Sequence, residues 1–237
     1  MKLNLLLAST ALLVTNTSTA FINGLFSTGV DSNGDVLASG DEDPNWTITA
    51  SPSGSGFTDG DPAIVLEDNP AWVPGDSSSD GTEGARWIGI TGSGDNDDNF
   101  EAFGEYTAEL TFDLTGFDPA TAEISLTTAA DNELLDISLN GTPVSDNGGG
   151  LSNTTVQPTI SSGFLPESNT IAITWNNITG TVEPPDSPTG LLVLISGDAD
   201  AIPEPSASVG WLFGLSSVLL AFRKREQTRR PSDPDNS

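Results

Sequence analysis

The sequence contains no cysteine and no histidine in 237 residues, and it sets only seven lysines and arginines against 34 aspartates and glutamates. Without cysteine there is neither a thiol nucleophile nor a disulfide framework. Without histidine, a Ser-His-Asp triad and the usual zinc ligand sets are excluded as well. A formal net charge of −27 excludes a general nucleic-acid binder, because phosphates would be repelled rather than neutralised. No apolar stripe at helical spacing appears between the first residues and Val209. What remains is chemistry that needs only carboxylates, or no catalysis at all.

Two apolar runs stand out, one near each end. Lys2 precedes the largely apolar residues 3–14, and the polar residues 15–19 lead to Ala20, with the small Ser18 two positions earlier. This is the pattern of a secretory signal peptide over residues 1–20, with cleavage expected after Ala20. At the other end Ile202-Pro203-Glu204-Pro205 is followed by apolar residues 206–222 and then Arg223-Lys224-Arg225, with a polar tail over residues 226–237. Seventeen residues at a rise of ~1.5 Å make roughly 25 Å of helix, a minimal membrane span. The basic cluster holds that end in the cytoplasm, and the two prolines mark the outer boundary of the helix.

That order of parts resembles the PEP-CTERM sorting signal of bacterial surface proteins. The resemblance implies recognition of Pro203, Glu204 and Pro205, with Arg223, Lys224 and Arg225, by an exosortase-type membrane enzyme. It also implies a protein held in the membrane before processing and delivered afterwards to the cell surface or extracellular matrix. The chain departs from the pattern in continuing through residues 226–237, with Arg229 and Arg230 among them. A plain C-terminal anchor is the alternative.

Between these ends lie residues 21–202. Four of the 34 acids, Glu204, Glu226, Asp233 and Asp235, fall outside this part, which leaves 30 acids against the single base Arg86. Gly, Asn, Asp, Ser, Thr and Pro punctuate short runs of β-branched and aromatic residues, the reading of an all-β chain. Strands are expected over residues 45–49, 63–66, 86–91, 105–114, 122–128, 135–139, 155–160, 170–175 and 191–195. The clearest is 105–114, where Tyr106, Ala108, Leu110, Phe112 and Leu114 alternate with polar residues. Asn140-Gly141 supplies the positive φ of a hairpin turn. That many strands in one domain predicts an all-β, two-sheet antiparallel sandwich followed by one C-terminal transmembrane helix. Its predicted core is Tyr106, Leu110, Phe112, Ile124, Leu126, Ile137, Leu139, Ile171, Ile173, Trp175 and Val193.

The phrases around Tyr106 and Phe112, then Ala129-Ala130-Asp131-Asn132, Ile137-Ser138-Leu139-Asn140-Gly141 and Ser168-Asn169-Thr170-Ile171-Ala172-Ile173-Thr174-Trp175, resemble galactose-binding-like jelly rolls. Pro166-Glu167-Ser168 departs from them where a glycine commonly precedes the asparagine. Gly24-Leu25-Phe26-Ser27-Thr28-Gly29-Val30 with Asp43-Pro44-Asn45-Trp46 is similar to exported proteins with the same sorting tail. These resemblances are specific about fold and say little about a ligand.

Three constellations carry candidate chemistry. Asp31, Asn33 and Asp35 have the spacing of the first ligands of a calcium loop, with Glu42 at the twelfth position, although Val36 stands where such a loop needs glycine. Asp95, Asp97 and Asp98 form a second acidic group. Trp72, between Pro70 and Pro74, is the best candidate among the tryptophans for an exposed stacking platform for extracellular polysaccharide, whereas Trp46, Trp87 and Trp175 are expected in the core. The sequence therefore predicts an exported, non-catalytic surface or matrix protein. Its alternatives are a carbohydrate-binding module and a glycan hydrolase working through two carboxylates.

Overall fold

In a computed structural model, residues 19–77, 83–91, 102–145, 150–178 and 188–203 are described. They contain eleven strands and no helix: β1 (Thr19–Phe21), β2 (Glu42–Ala50), β3 (Pro62–Val65), β4 (Ile88–Gly89), β5 (Gly104–Asp113), β6 (Glu123–Asp131), β7 (Glu133–Leu139), β8 (Thr142–Ser145), β9 (Thr155–Val156), β10 (Ser168–Asn177) and β11 (Gly190–Asp200). Every pairing is antiparallel, and the strands follow the order β8-β7-β10-β5-β2-β3-β4-β11-β6-β9, with β1 on the end of β11. Although β6 lies far from β7 and β10 in that order, it touches both. The fold is all-β and antiparallel, and the sheet curls around a shared core. The expected transmembrane helix, residues 206–222, lies outside the described residues, as do residues 1–18 of the expected signal peptide.

Alternation in β5 is what aims the core. Tyr106, Ala108, Leu110 and Phe112 are buried while Glu105, Thr111 and Asp113 are exposed. β10 runs against β5 with Ile171 opposite Leu110, Ile173 opposite Ala108 and Trp175 opposite Tyr106. Directly opposed residues share a face, so this register lays apolar side chains against one another. The Tyr106 and Trp175 rings stack at 5.4 Å between centroids. On the wet face, threonines pair across the same strands, Thr107 with Thr174 at 3.0 Å and Thr111 with Thr170 at 3.4 Å. All eleven residues of the predicted core are buried in one cluster.

Asn140 and Gly141 turn the chain from β7 into β8 with φ of 52° and 74°, as their dipeptide predicts. The Asn140 side chain does more than permit the turn. Its amide donates to the Gly163 carbonyl at 3.0 Å and to Asn169 Oδ1 at 2.9 Å, and its carbonyl accepts the Thr170 N–H at 2.9 Å. Asn169, fully buried, accepts the Leu165 N–H at 2.7 Å and donates to the carbonyls of Leu165 and Glu167. The two asparagines thus fasten the β7–β8 hairpin to the start of β10.

Strand limits differ from expectation where backbone donors are missing or both faces are covered. β9 stops at Val156 because Pro158 has no N–H to give the ladder, and pairing resumes only as an isolated bridge between Ile160 and Ile124. β11 runs on both sides of the expected 191–195. Its side chains are buried alternately in two clusters, Leu191, Val193 and Ile195 in the main core and Leu192 in a second one with Leu66, Trp72, Val73, Ala85, Trp87 and Ala129. Truncating Phe112 or Trp175 to alanine should cost roughly 3–5 kcal/mol in denaturant unfolding. A loss within about 1 kcal/mol for both would mean that the core is not organised around β5 and β10.

Candidate functional site

The loop with calcium-like spacing forms a turn in which Asp31 bonds its own neighbours. Asp31 Oδ1 accepts the N–H of Asn33 at 2.8 Å and of Asp35 at 2.9 Å, while its Oδ2 accepts the Asn33 side-chain amide at 3.1 Å. Those bonds, first from Asp35 and then from Asn33, hold the Asp31 carboxyl below its ordinary pKa. A bridge between Val30 and Val36 closes the loop, and Glu42 opens β2 opposite Ile64. Among the described residues, no three acidic side chains are grouped as metal ligands. Asp95, Asp97 and Asp98 lie outside the described residues.

The residue next to Glu42 is the one engaged in packing. Asp43 is buried and accepts three backbone N–H groups, from Gly29 at 2.7 Å, Asn45 at 2.8 Å and Trp46 at 3.1 Å. Burial pushes its pKa up, and the three donors oppose that shift. Asp43 is a structural staple joining β2 to the Gly29 turn.

Trp72 is not an exposed platform. It is buried, packed against Trp87 with ring centroids 4.5 Å apart, and its Nε1–H donates to Asp131 Oδ2 at 2.7 Å. The reason is the two-sided burial of β11: the face that carries Leu192 needs a cover, and residues 66–77 provide it. Gly190 makes room, since a Cβ there would stand 2.8 Å from Leu66 Cδ1 and 3.2 Å from the rings of Trp72 and Trp87.

The structure brings forward a residue to which the sequence assigns no role of its own. Asp131 ends β6 and is 4 % exposed. One carboxylate oxygen accepts the Trp72 N–H, and the other, Oδ1, is buried with no hydrogen-bond partner. Burial, only partly opposed by Trp72, raises the Asp131 pKa to about 6. Its backbone carbonyl accepts the Thr189 hydroxyl, which in turn accepts the Trp175 Nε1–H at 3.0 Å. The main core and the second core therefore meet at Asp131. The available sequence signal is an acid closing an otherwise apolar strand phrase, Ala129-Ala130-Asp131.

A concavity lies on the wet face of β2 and β5. It is an open groove of about 380 Å³ lined by Asn45, Thr47, Thr49, Glu109 and Thr111, with Phe26 and Pro44 among its walls. Of the residues expected to form a sorting signal, Pro203 is described and exposed, whereas Glu204, Pro205, Arg223, Lys224 and Arg225 lie outside the described residues. Among the described residues there is no helix long and apolar enough to cross a membrane.

Because Trp72 is packed rather than presented, its truncation should read as stability. Trp72→Ala is expected to lower unfolding free energy by roughly 3–5 kcal/mol, measured by denaturant titration. A variant of unchanged stability would restore the exposed-platform reading. No protein-family model matches the chain, and no curated protein matches it.

Proposed function

We propose that the chain is an exported, non-catalytic cell-surface or extracellular-matrix protein whose residues 21–202 form a two-sheet jelly roll. In this reading residues 1–20 are removed on export, and residues 203–225 are a PEP-CTERM-type signal read by an exosortase-type enzyme in the membrane. The observation that supports it is the junction itself. The compact unit runs from Ser18 to Ala201, and Pro203-Glu204-Pro205 with its apolar run and basic cluster begins two residues later in the sequence. A folded unit followed along the chain by an apolar stretch is what tail-directed delivery requires. The jelly-roll part is supported by the shared core, in which β6 and β11 pack with β5, β7 and β10.

The groove on β2 and β5 favours a second reading, a carbohydrate-binding module. Its lining of hydroxyls, an amide and one carboxylate suits the donors and acceptors of a sugar. A glycan array probed with and without calcium separates the two readings.

The sorting reading is tested by replacing Pro203, Glu204 and Pro205 with alanine. Membrane insertion depends on the apolar run and on Arg223-Lys224-Arg225, so it should persist, while full-length protein accumulates in the membrane. Processing and release at the wild-type rate would reduce the phrase to a linker.

A further inference from the structure

Asp131 is a buried carboxylate without the donors that such a group needs. Asp43 shows what full satisfaction looks like in the same fold, with three N–H groups on one carboxylate. Asp131 has the Trp72 indole alone, and its Oδ1 faces no partner. An ionised carboxylate in that position carries a large desolvation cost, which is relieved either by taking a proton or by letting water in. Movement of the cover that bonds it would let water in. The cover is residues 66–77, and Trp72 is the part of it bonded to Asp131.

We propose that Asp131 and Trp72 form a proton-operated latch: protonated Asp131 keeps the Trp72 indole seated over Gly190, and ionised Asp131 loosens residues 66–77 from β6 and β11. The movement would uncover the second apolar cluster around Ala129 and Leu192 while the main core stays intact. Among the described residues, no other charge sets this behaviour. β6 carries only Glu123 besides Asp131, β10 has no ionisable residue, and β11 has only Asp198 and Asp200 at its far end. Glu133 on β7 is exposed, as are Glu67, Asp68, Asp76 and Glu83 on the cover and its return, and Arg86 pairs with Asp68 at 3.6 Å. Asp131 responds to burial first and to the Trp72 N–H second.

The sign follows from linkage. The closed form holds its proton up to about pH 6, whereas an opened Asp131 would titrate near ~3.9. Closure is therefore fully favoured below ~3.9 and is lost as pH rises through about 6. Hydrogen exchange of the full-length protein in detergent reads this at the Trp72 Nε1–H and the Val73 N–H. After correction for intrinsic exchange, protection should be about tenfold higher at pH 5 than at pH 7.5.

Asp131→Asn should abolish the difference and hold protection at the low-pH level. Trp72→Phe keeps a ring but removes the donor, so Val73 should respond with its midpoint moved to higher pH. Equal wild-type protection at the two pH values overturns the latch, as does an Asp131→Asn protein that keeps the tenfold change. Should that variant fail to fold, carboxyl-carbon resonances of the wild-type protein decide, and an Asp131 titrating below pH ~4.5 overturns the proposal.

Discussion

The structure depends on β11 being buried on both faces. It lies between β4 and β6, its odd-numbered apolar residues fill the main core, and Leu192 fills the second. Each such leucine or isoleucine taken out of water contributes ~1.5–3 kcal/mol, so a strand with one wet face would forfeit a good part of that. The requirement for a cover explains why residues 66–77 fold back over the sheet and why Leu66, Trp72 and Val73 rather than polar residues line their underside. Thr28 completes the arrangement. Its backbone N–H and hydroxyl bracket Val193, at 2.9 Å to the carbonyl and 3.0 Å from the N–H, while its hydroxyl and carbonyl also bond the Arg86 backbone. One buried threonine thereby ties the N-terminal segment, the return of the cover and the last strand.

Electrostatics contributes little to that stability and shapes the surface instead. With 30 acids against Arg86 in residues 21–202, the fold has almost no opposite charge to pair. The Arg86–Asp68 contact is long at 3.6 Å and partly exposed, the kind of pair worth at most about 1 kcal/mol. Self-repulsion is relieved instead by screening, which at physiological salt acts over ~8 Å. Cohesion comes from the packed core, and several acids are spent locally: Asp113 accepts from Thr115 and Asp118 from Ala120, so that they end strands and start turns.

How much of this was legible in the sequence follows from which interactions are local. Alternation along 105–114 and 170–175 placed Tyr106, Phe112 and Trp175 inward, and Asn140-Gly141 located a hairpin, because period and turn chemistry are properties of neighbouring residues. Trp72 was misread for the opposite reason. Two flanking prolines mark a loop, but whether a loop is exposed depends on a sheet face that is completed more than a hundred residues later by β11. The continuous apolar run from Leu191 to Ile195 was the available clue, since a strand with no polar alternation must be covered on both sides. The calcium-like spacing is ambiguous for a comparable reason. Aspartates two residues apart suit cation loops and tight turns alike, and the hydrogen bonds of Asp31 belong to a tight turn.

The two buried carboxylates carry the last step. Both sit at strand ends and both are pushed towards protonation by burial, yet they differ in what surrounds them. Asp43 is held by backbone donors on three residues, so it is fixed as long as the Gly29 turn and β2 are formed. Asp131 is held by a side chain on a segment that no strand pairing secures. A partner on a backbone ladder can leave only when the ladder unfolds, whereas a partner on a cover can leave when the cover alone opens, at a far smaller cost in free energy. The same burial therefore makes Asp43 a structural element and makes Asp131 a point where the fold can respond to its surroundings.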